Sequence, residues 1–195
     1  MRAALRSGVI GREITVLENT SSTNDEIAKL AEAGSAEGAV IFAEHQTAGR
    51  GQRGNSWEST AGKGLWFSFL LRPGLPVKQS GMLTSWAARV VADTIRDYCG
   101  IETRVKPPND IYISDRKVAG VLVEMKAQPG APHYAIVGIG INVNHTPADF
   151  PEPLRDRATS LLIAVGLQHR TGLAIALLRN LDSTYALRKG RLETL

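Results

Sequence analysis

The chain has 195 residues, of which 43 % are hydrophobic and 22 % charged, with a formal net charge of +4. That length suits one well-buried core and is short for two, the ordinary composition disfavours disorder, and no apolar run approaches the roughly 18 residues of a membrane-spanning helix. The single cysteine, Cys99, allows no internal disulfide, and the four histidines (His45, His133, His145, His169) lack the spacing of a zinc site.

The opening MRAALRSGVIGRE is too short and too interrupted for a signal peptide, so cytoplasmic residence is expected. Ile14 to Glu18 alternates like a strand. NTSSTN then supplies cap residues for a helix with Ile27, Leu30 and Ala31 on one face, Ser22 or Thr23 as its cap and Gly34 as its stop. The run AVIFA (39–43) reads as a strand covered on both faces, as does GLWFSFLL (64–71). From Gln79 to Tyr98 the residues Met82, Leu83, Trp86, Val90, Val91 and Ile95 recur at helical spacing and predict the longest helix. Arg104 to Lys106, Ile111 to Ile113, Val118 to Met125 and Tyr134 to Val143 are further strands, joined too closely for crossover helices. The fold class expected is therefore α+β, a mixed and largely antiparallel sheet with packed helices, in one domain spanning 1–195. Helical patterns around Ser160 to Val165 and Thr171 to Leu187 follow a loop at 146–157.

Four stretches carry chemistry. Ser21-Ser22-Thr23-Asn24 is explained in part by helix capping, but it also gathers several short donor and acceptor groups where free backbone N–H groups point outward. The insertion EHQTAGRGQRGNSW (44–57) is too long and polar for a turn; its glycines permit close backbone approach, Arg50 and Arg53 suit an anion, and Trp57 offers a flat apolar face. Lys117 opens an apolar strand and needs an anionic partner, which is either Asp110, as a structural pair, or a ligand oxygen. VGIGINVN (137–144) lacks the third glycine and helix of a dinucleotide fingerprint, leaving a strand approached closely by something else, with Asn142 as a polar amide that needs partners. The modest positive charge suits an anionic ligand and gives little support to nucleic acid.

Taken in order, SSTNDEIAKL, EHQTAGRGQRGNSW, GLWFSFLLRP, KPPNDIYISDRKVAGVLVE and VGIGINVN make the chain resemble the biotin protein ligases. The resemblance implies a catalytic domain related in architecture to class II aminoacyl-tRNA synthetases. It implies two steps: ATP and biotin give biotinyl-5′-AMP, and a lysine on the biotin carboxyl carrier domain of a biotin-dependent carboxylase then takes the biotinyl group. By resemblance Ser22, Thr23, Asn24 and Gln46 hold the ureido end of biotin; Gly49, Arg50 and Gly51 close over the adenylate, and Gly120 admits the ligand. Arg50 and Arg53 lie toward the phosphates, Trp57 by the adenine, Asn109 and Asn142 on the nucleotide side. Lys117, Arg50 and Asp110 form the catalytic set, Asp110 positioning groups or Mg²⁺, with any metal site otherwise undetermined. The insertion is expected to be a lid, loose until ligand binds. Pro107, Gln52 and Asn55 depart from the family's usual tryptophan and arginines. A helix-turn-helix region before the motifs and a small β-barrel domain after them are both expected to be absent. A sheet edge near Val118 to Met125 is a possible homodimer contact. Lipoate or octanoate ligases share the architecture but carry a glycine-rich motif followed by His-Asp that is missing here; a non-catalytic biotin-binding module is the remaining alternative.

Overall fold

The run LWFSFLL is buried at every position, which a strand achieves only when both faces of its sheet are covered. In the computed structural model, which describes residues 8–128 and 131–192, it forms one of seven strands among the described residues. These are β1 (Glu13–Thr20), β2 (Ala39–Gln46), β3 (Leu65–Leu71), β4 (Arg104–Lys106), β5 (Asp110–Ile113), β6 (Arg116–Gln128) and β7 (Ala131–Ile141). They make one sheet in the order β1-β2-β3-β7-β6-β5-β4. Only β1 and β2 run parallel, because α1 (Thr23–Glu32) carries the chain back between them; every other pairing is antiparallel, so the sheet is mixed and largely antiparallel as the short connections required.

Strand alternation sorts the residues onto two faces. Phe67, Phe69, Val137, Ile139 and Val121 point to one side, where α2 (Ser80–Cys99) and α4 (Arg170–Leu192) cover them and build the larger core. Ile41, Leu70, Tyr134 and Ile136 point to the other, where α1 covers only one end of the sheet. The remainder of that second face carries Ser68, Trp66 and glycines, and it is left to the insertion. A short helix, α3 (Leu161–Val165), follows the 146–157 loop and is capped by Ser160, whose Oγ accepts from the Ile163 N–H at 3.2 Å.

Two local details differ from what the motifs suggested. Ser22 is the cap residue of α1 but its hydroxyl makes no capping bond; the Thr23 N–H is instead satisfied by Gln46 Oε1 at 2.8 Å, from the end of β2. The sheet edge near Val118 to Met125 is only half open, since β5 covers β6 as far as Gly120 and no described strand lies outside β6 beyond it. Among the described residues no helix is long and apolar enough to cross a membrane.

Phe67 is fully buried and stacks on Phe42 with ring centroids 4.8 Å apart, at the centre of the larger core. Phe67→Ala is expected to lower stability by about 3–5 kcal/mol, read from the urea midpoint at unchanged slope. A loss below about 1 kcal/mol would place this ring outside the core.

Candidate active site: two cavities that share one wall

A patch without side chains lies in the middle of the uncovered face. Gly120 on β6 pairs directly with Gly140 on β7, and Gly138 stands two residues along β7 on the same face. Each glycine admits a side chain from elsewhere. A Cβ on Gly140 would lie 2.6 Å from the Trp57 indole, one on Gly120 would lie 2.9 Å from that ring and 3.2 Å from Lys117 Cε, and one on Gly138 would collide with the Asn24 amide. Three polar or aromatic groups thus rest directly on the sheet's backbone. None of these glycines adopts positive φ, so their role is close approach and not turning.

The first cavity opens above Gly138, where α1 begins. Ser22, Thr23, Asn24 and Gln46 line it on one side, with Arg50, Gly51 and Gln52 from the insertion across from them. Its polar groups are tied together. Thr23 Oγ1 and Ser68 Oγ are 2.6 Å apart, Ser68 Oγ donates to Asn24 Oδ1 at 2.6 Å, and Asn24 Nδ2 donates to Glu124 Oε2 at 2.6 Å. Ser68 is fully buried, so its hydroxyl must find partners within the protein.

The insertion lies folded over this cavity. Thr47 and Ala48 N–H groups donate to Thr20 and Ser21 carbonyls, Trp57 N–H donates to Gly49 O at 2.9 Å, and Asn55 Nδ2 closes a turn on Gln52 O at 2.8 Å. Arg50 makes a two-pronged contact with Asp25, at 2.7 and 2.9 Å, and lies 3.5 Å from Glu124. The guanidinium hydrogen bonds hold the Asp25 carboxyl below the usual carboxylate range. The insertion is thus tied to α1 by the same arginine that was expected near phosphate.

Trp57 and Lys117 form the wall between this cavity and a second, larger one. Lys117 Nζ sits 2.7 Å from Asp110 Oδ1 and 5.1 Å from the centre of the Trp57 ring. Its main chain is pinned on both sides, N–H to Arg157 O and carbonyl to Thr159 N–H, each at 2.9 Å. The second cavity is lined by Asp110, Tyr112, Asn142, His145, Asp149 and Arg157, together with lid residues 55–58. His145 is enclosed between Trp66 and Phe150, and this burial pushes its imidazole down to about 4 against a smaller opposing pull from Asp149. Among the described residues no group of three or more metal-ligating side chains occurs.

Of the residues singled out from sequence, Ser22, Thr23, Asn24, Gln46, Arg50, Gly51, Trp57, Asn109, Lys117 and Gly120 line the first cavity, and Asp110 and Asn142 line the second. Arg53 and Gly49 line neither. Arg53 is exposed in a left-handed turn of φ 59°, and Gly49 is buried beneath the Trp57 main chain. Asn109 was expected beside the nucleotide; it faces the first cavity, where its amide donates to Val121 O at 2.9 Å. Asn142 donates to Thr159 O at 3.0 Å. For Lys117 the structural pairing with Asp110 is the arrangement present. Ser68, Glu124 and Asp25 escaped the reading as site residues, while Gly138 and Gly140 were expected only as a strand that something approaches closely. The only signal was that a serine and a glutamate interrupt otherwise apolar strands, LWFSFLL and VAGVLVE.

A model described as the biotin/lipoate A/B protein ligase family matches residues 16–142. The chain is 42 % identical over 166 residues to the bifunctional ligase/repressor BirA of Bacillus subtilis, covering 85 % of this chain and 51 % of that protein. It is 36 % identical over 191 residues to the biotin--[acetyl-CoA-carboxylase] ligase of Mycobacterium tuberculosis, covering 92 % of this chain and 68 % of that one. The chain thus spans about half the length of the Bacillus relatives. Among solved structures, the biotin protein ligase from Aquifex aeolicus in complex with biotin and ATP superposes with a TM-score of 0.77 at 31 % identity, over 92 % of this chain and 72 % of that one.

Two outcomes are expected. Gly140→Val adds a branched side chain where the Trp57 indole lies, so the ring leaves the sheet; the tryptophan emission should shift to the red, and the shift should be absent on a Trp57→Phe background. His145 has a folded value of about 4 below an ordinary 6.5, so the unfolded chain binds the extra proton between them. The stability from keeping this ring neutral is complete above pH 6.5 and is lost as pH falls toward 4, by on the order of 2–3 kcal/mol. Denaturant melts of His145→Phe should lack that part of the slope; parallel curves for the two proteins would refute it.

Proposed function

The chain belongs to the biotin/lipoate A/B protein ligase family, and from that membership we propose that it activates biotin with ATP and transfers the biotinyl group to a lysine of a carrier protein. The observation that carries this reading is the shared wall: a cavity with a polar head and a larger cavity beside it meet at Lys117 and Trp57. A carboxylate and a triphosphate repel, and the carboxylate is a poor electrophile. Joining them needs a cation at the point of contact and separate seats on either side.

In this reading the ureido ring of biotin sits among Ser22, Thr23, Asn24 and Gln46, and its valeryl chain runs over Gly120 toward Lys117. The nucleotide occupies the second cavity, with its base against Trp57 and Asn142 beside it. A carboxylate oxygen of biotin attacks the α-phosphorus, and pyrophosphate leaves. Lys117 exchanges Asp110 for the oxygens where charge accumulates, and Asp110 is then available to Mg²⁺. A Mg²⁺ ion carried by ATP would need only one or two protein carboxylates, of which Asp110 would be one, and it would neutralise the departing pyrophosphate. In the second step a lysine amine attacks the acyl carbon of the mixed anhydride, AMP leaves with the bridging oxygen, and the amine gives up a proton. The carrier domain of a biotin-dependent carboxylase fits as the acceptor, in keeping with the names of relatives. Arg50 works by holding the lid to α1 through Asp25, excluding water from the anhydride. The outer side of β6 beyond Gly120 is available for a second copy to extend the sheet.

Biotin-dependent ATP–pyrophosphate exchange tests this directly. Wild-type protein should exchange with biotin and not with lipoate, and Lys117→Ala should lower kcat by about 10²–10³-fold. No exchange with either acid overturns the ligase reading, and exchange with lipoate alone moves the chain to the other branch of the family.

A further inference from the structure

The hydrogen bonds beneath the first cavity have only one consistent proton order, and a single carboxylate sets it. Glu124 Oε2 lies 2.6 Å from one end of the Asn24 amide, and that end must be the NH₂, since a carbonyl there would face a carboxylate oxygen. The other end, Oδ1, therefore faces Ser68 Oγ at 2.6 Å and can only accept. Ser68 has one hydroxyl hydrogen, and this contact uses it. The 2.6 Å contact between Ser68 Oγ and Thr23 Oγ1 then requires Thr23 to donate. Thr23 has one hydroxyl hydrogen as well. Gln46 Oε1, 3.1 Å from Thr23 Oγ1, takes its hydrogen from the Thr23 N–H at 2.8 Å. The chain runs Thr23 to Ser68 to Asn24 to Glu124, and it leaves Thr23 Oγ1 with lone pairs alone to offer the cavity.

We propose that Ser68 and Glu124 are positioning residues that set this order and so select a ligand head group bearing an N–H donor. The inference rests on the biotin reading and sharpens it. The cyclic urea of biotin brings N–H groups to a Thr23 hydroxyl that can only accept from the cavity; the dithiolane of a lipoyl group has no N–H and would leave the lone pairs of that oxygen without a donor. Loss of such a partner costs more than the hydrogen bond itself is worth, so the choice is strong. Glu124 also lies 3.5 Å from Arg50, so the carboxylate that orients the reader touches the lid as well.

The experiment measures KM for biotin, KM for ATP and kcat in pyrophosphate exchange for wild type, Ser68→Ala, Glu124→Met and Glu124→Gln. Ser68→Ala and Glu124→Met should raise the biotin KM by on the order of tenfold, with the ATP KM and kcat moving less than about threefold. Glu124→Gln keeps an acceptor for Asn24 and should recover most of the loss. A second readout uses cyclic carbamate analogues of biotin, in which a ring oxygen replaces one ureido N–H. Wild type and Glu124→Gln should reject one isomer by about tenfold or more, and Glu124→Met should narrow that ratio several-fold, because Asn24 can then turn and release the order. If wild-type protein exchanges with biotin but Ser68→Ala and Glu124→Met leave the biotin KM within twofold, the positioning role is wrong while the ligase reading stands. If wild type shows no biotin-dependent exchange, the reading beneath it fails first.

Discussion

The site depends on a place where the sheet has no side chains. Gly120 and Gly140 face each other across β6 and β7, and Gly138 continues the gap along the same face. Three groups that line the two cavities rest there: Asn24 on Gly138, the Trp57 indole on Gly120 and Gly140, and the Lys117 stem against Gly120. Glycine weakens a strand by removing packing and adding freedom to the unfolded chain. Here the sheet carries that cost in its middle, where pairing on both sides keeps the backbone in register. The gain is a flat floor on which an extended ligand and an aromatic ring can lie at van der Waals distance.

That cost is offset on the opposite face. The residues alternating with the glycines, Val137, Ile139, Ile141, Ala119 and Val121, are all buried under α2 and α4. One face supplies cohesion and the other supplies chemistry, and the two-residue period of a strand keeps them separate. The same division explains the lid. Apart from Trp57, little of its side-chain surface is apolar, so the rest of it is secured by main-chain hydrogen bonds to residues 20 and 21 and by the Arg50 clamp on Asp25. These are contacts that water can replace at modest cost, as the proposed reaction would require of a segment that opens to exchange ligands.

The sequence was legible where a pattern is local. Strand and helix periodicities located the elements, and the mixed sheet followed from short connections. Polar clusters at 21–24 and 44–57 pointed to residues that do meet at one cavity. What stayed hidden depended on register and on distant partners. Nothing near Arg50 in the chain indicates that Asp25 holds it, because β2 and α1 bring them together across 25 positions. Ser68 lies unremarked within the apolar strand GLWFSFLL, yet pairing with Gly138 puts it beneath Asn24. Gln46 was read as a ligand contact, and its second task, satisfying the first amide of α1, could not be seen without the parallel pairing of β1 and β2. The glycines of VGIG were read as a close approach by a ligand or backbone; the approaching groups include this chain's own Asn24 and Trp57.

The central claim is that acid and nucleotide meet at the wall made by Lys117 and Trp57. The most direct test is a crystal structure of the protein with a hydrolysis-resistant sulfamoyl analogue of biotinyl-5′-AMP. The ureido ring should lie beside Thr23 and Asn24, the adenosine in the cavity of Asn142 and His145, and Lys117 Nζ within hydrogen-bond reach of the linkage, turned away from Asp110. A ligand bound with its linkage far from Lys117, or with both ends in one cavity, would contradict it.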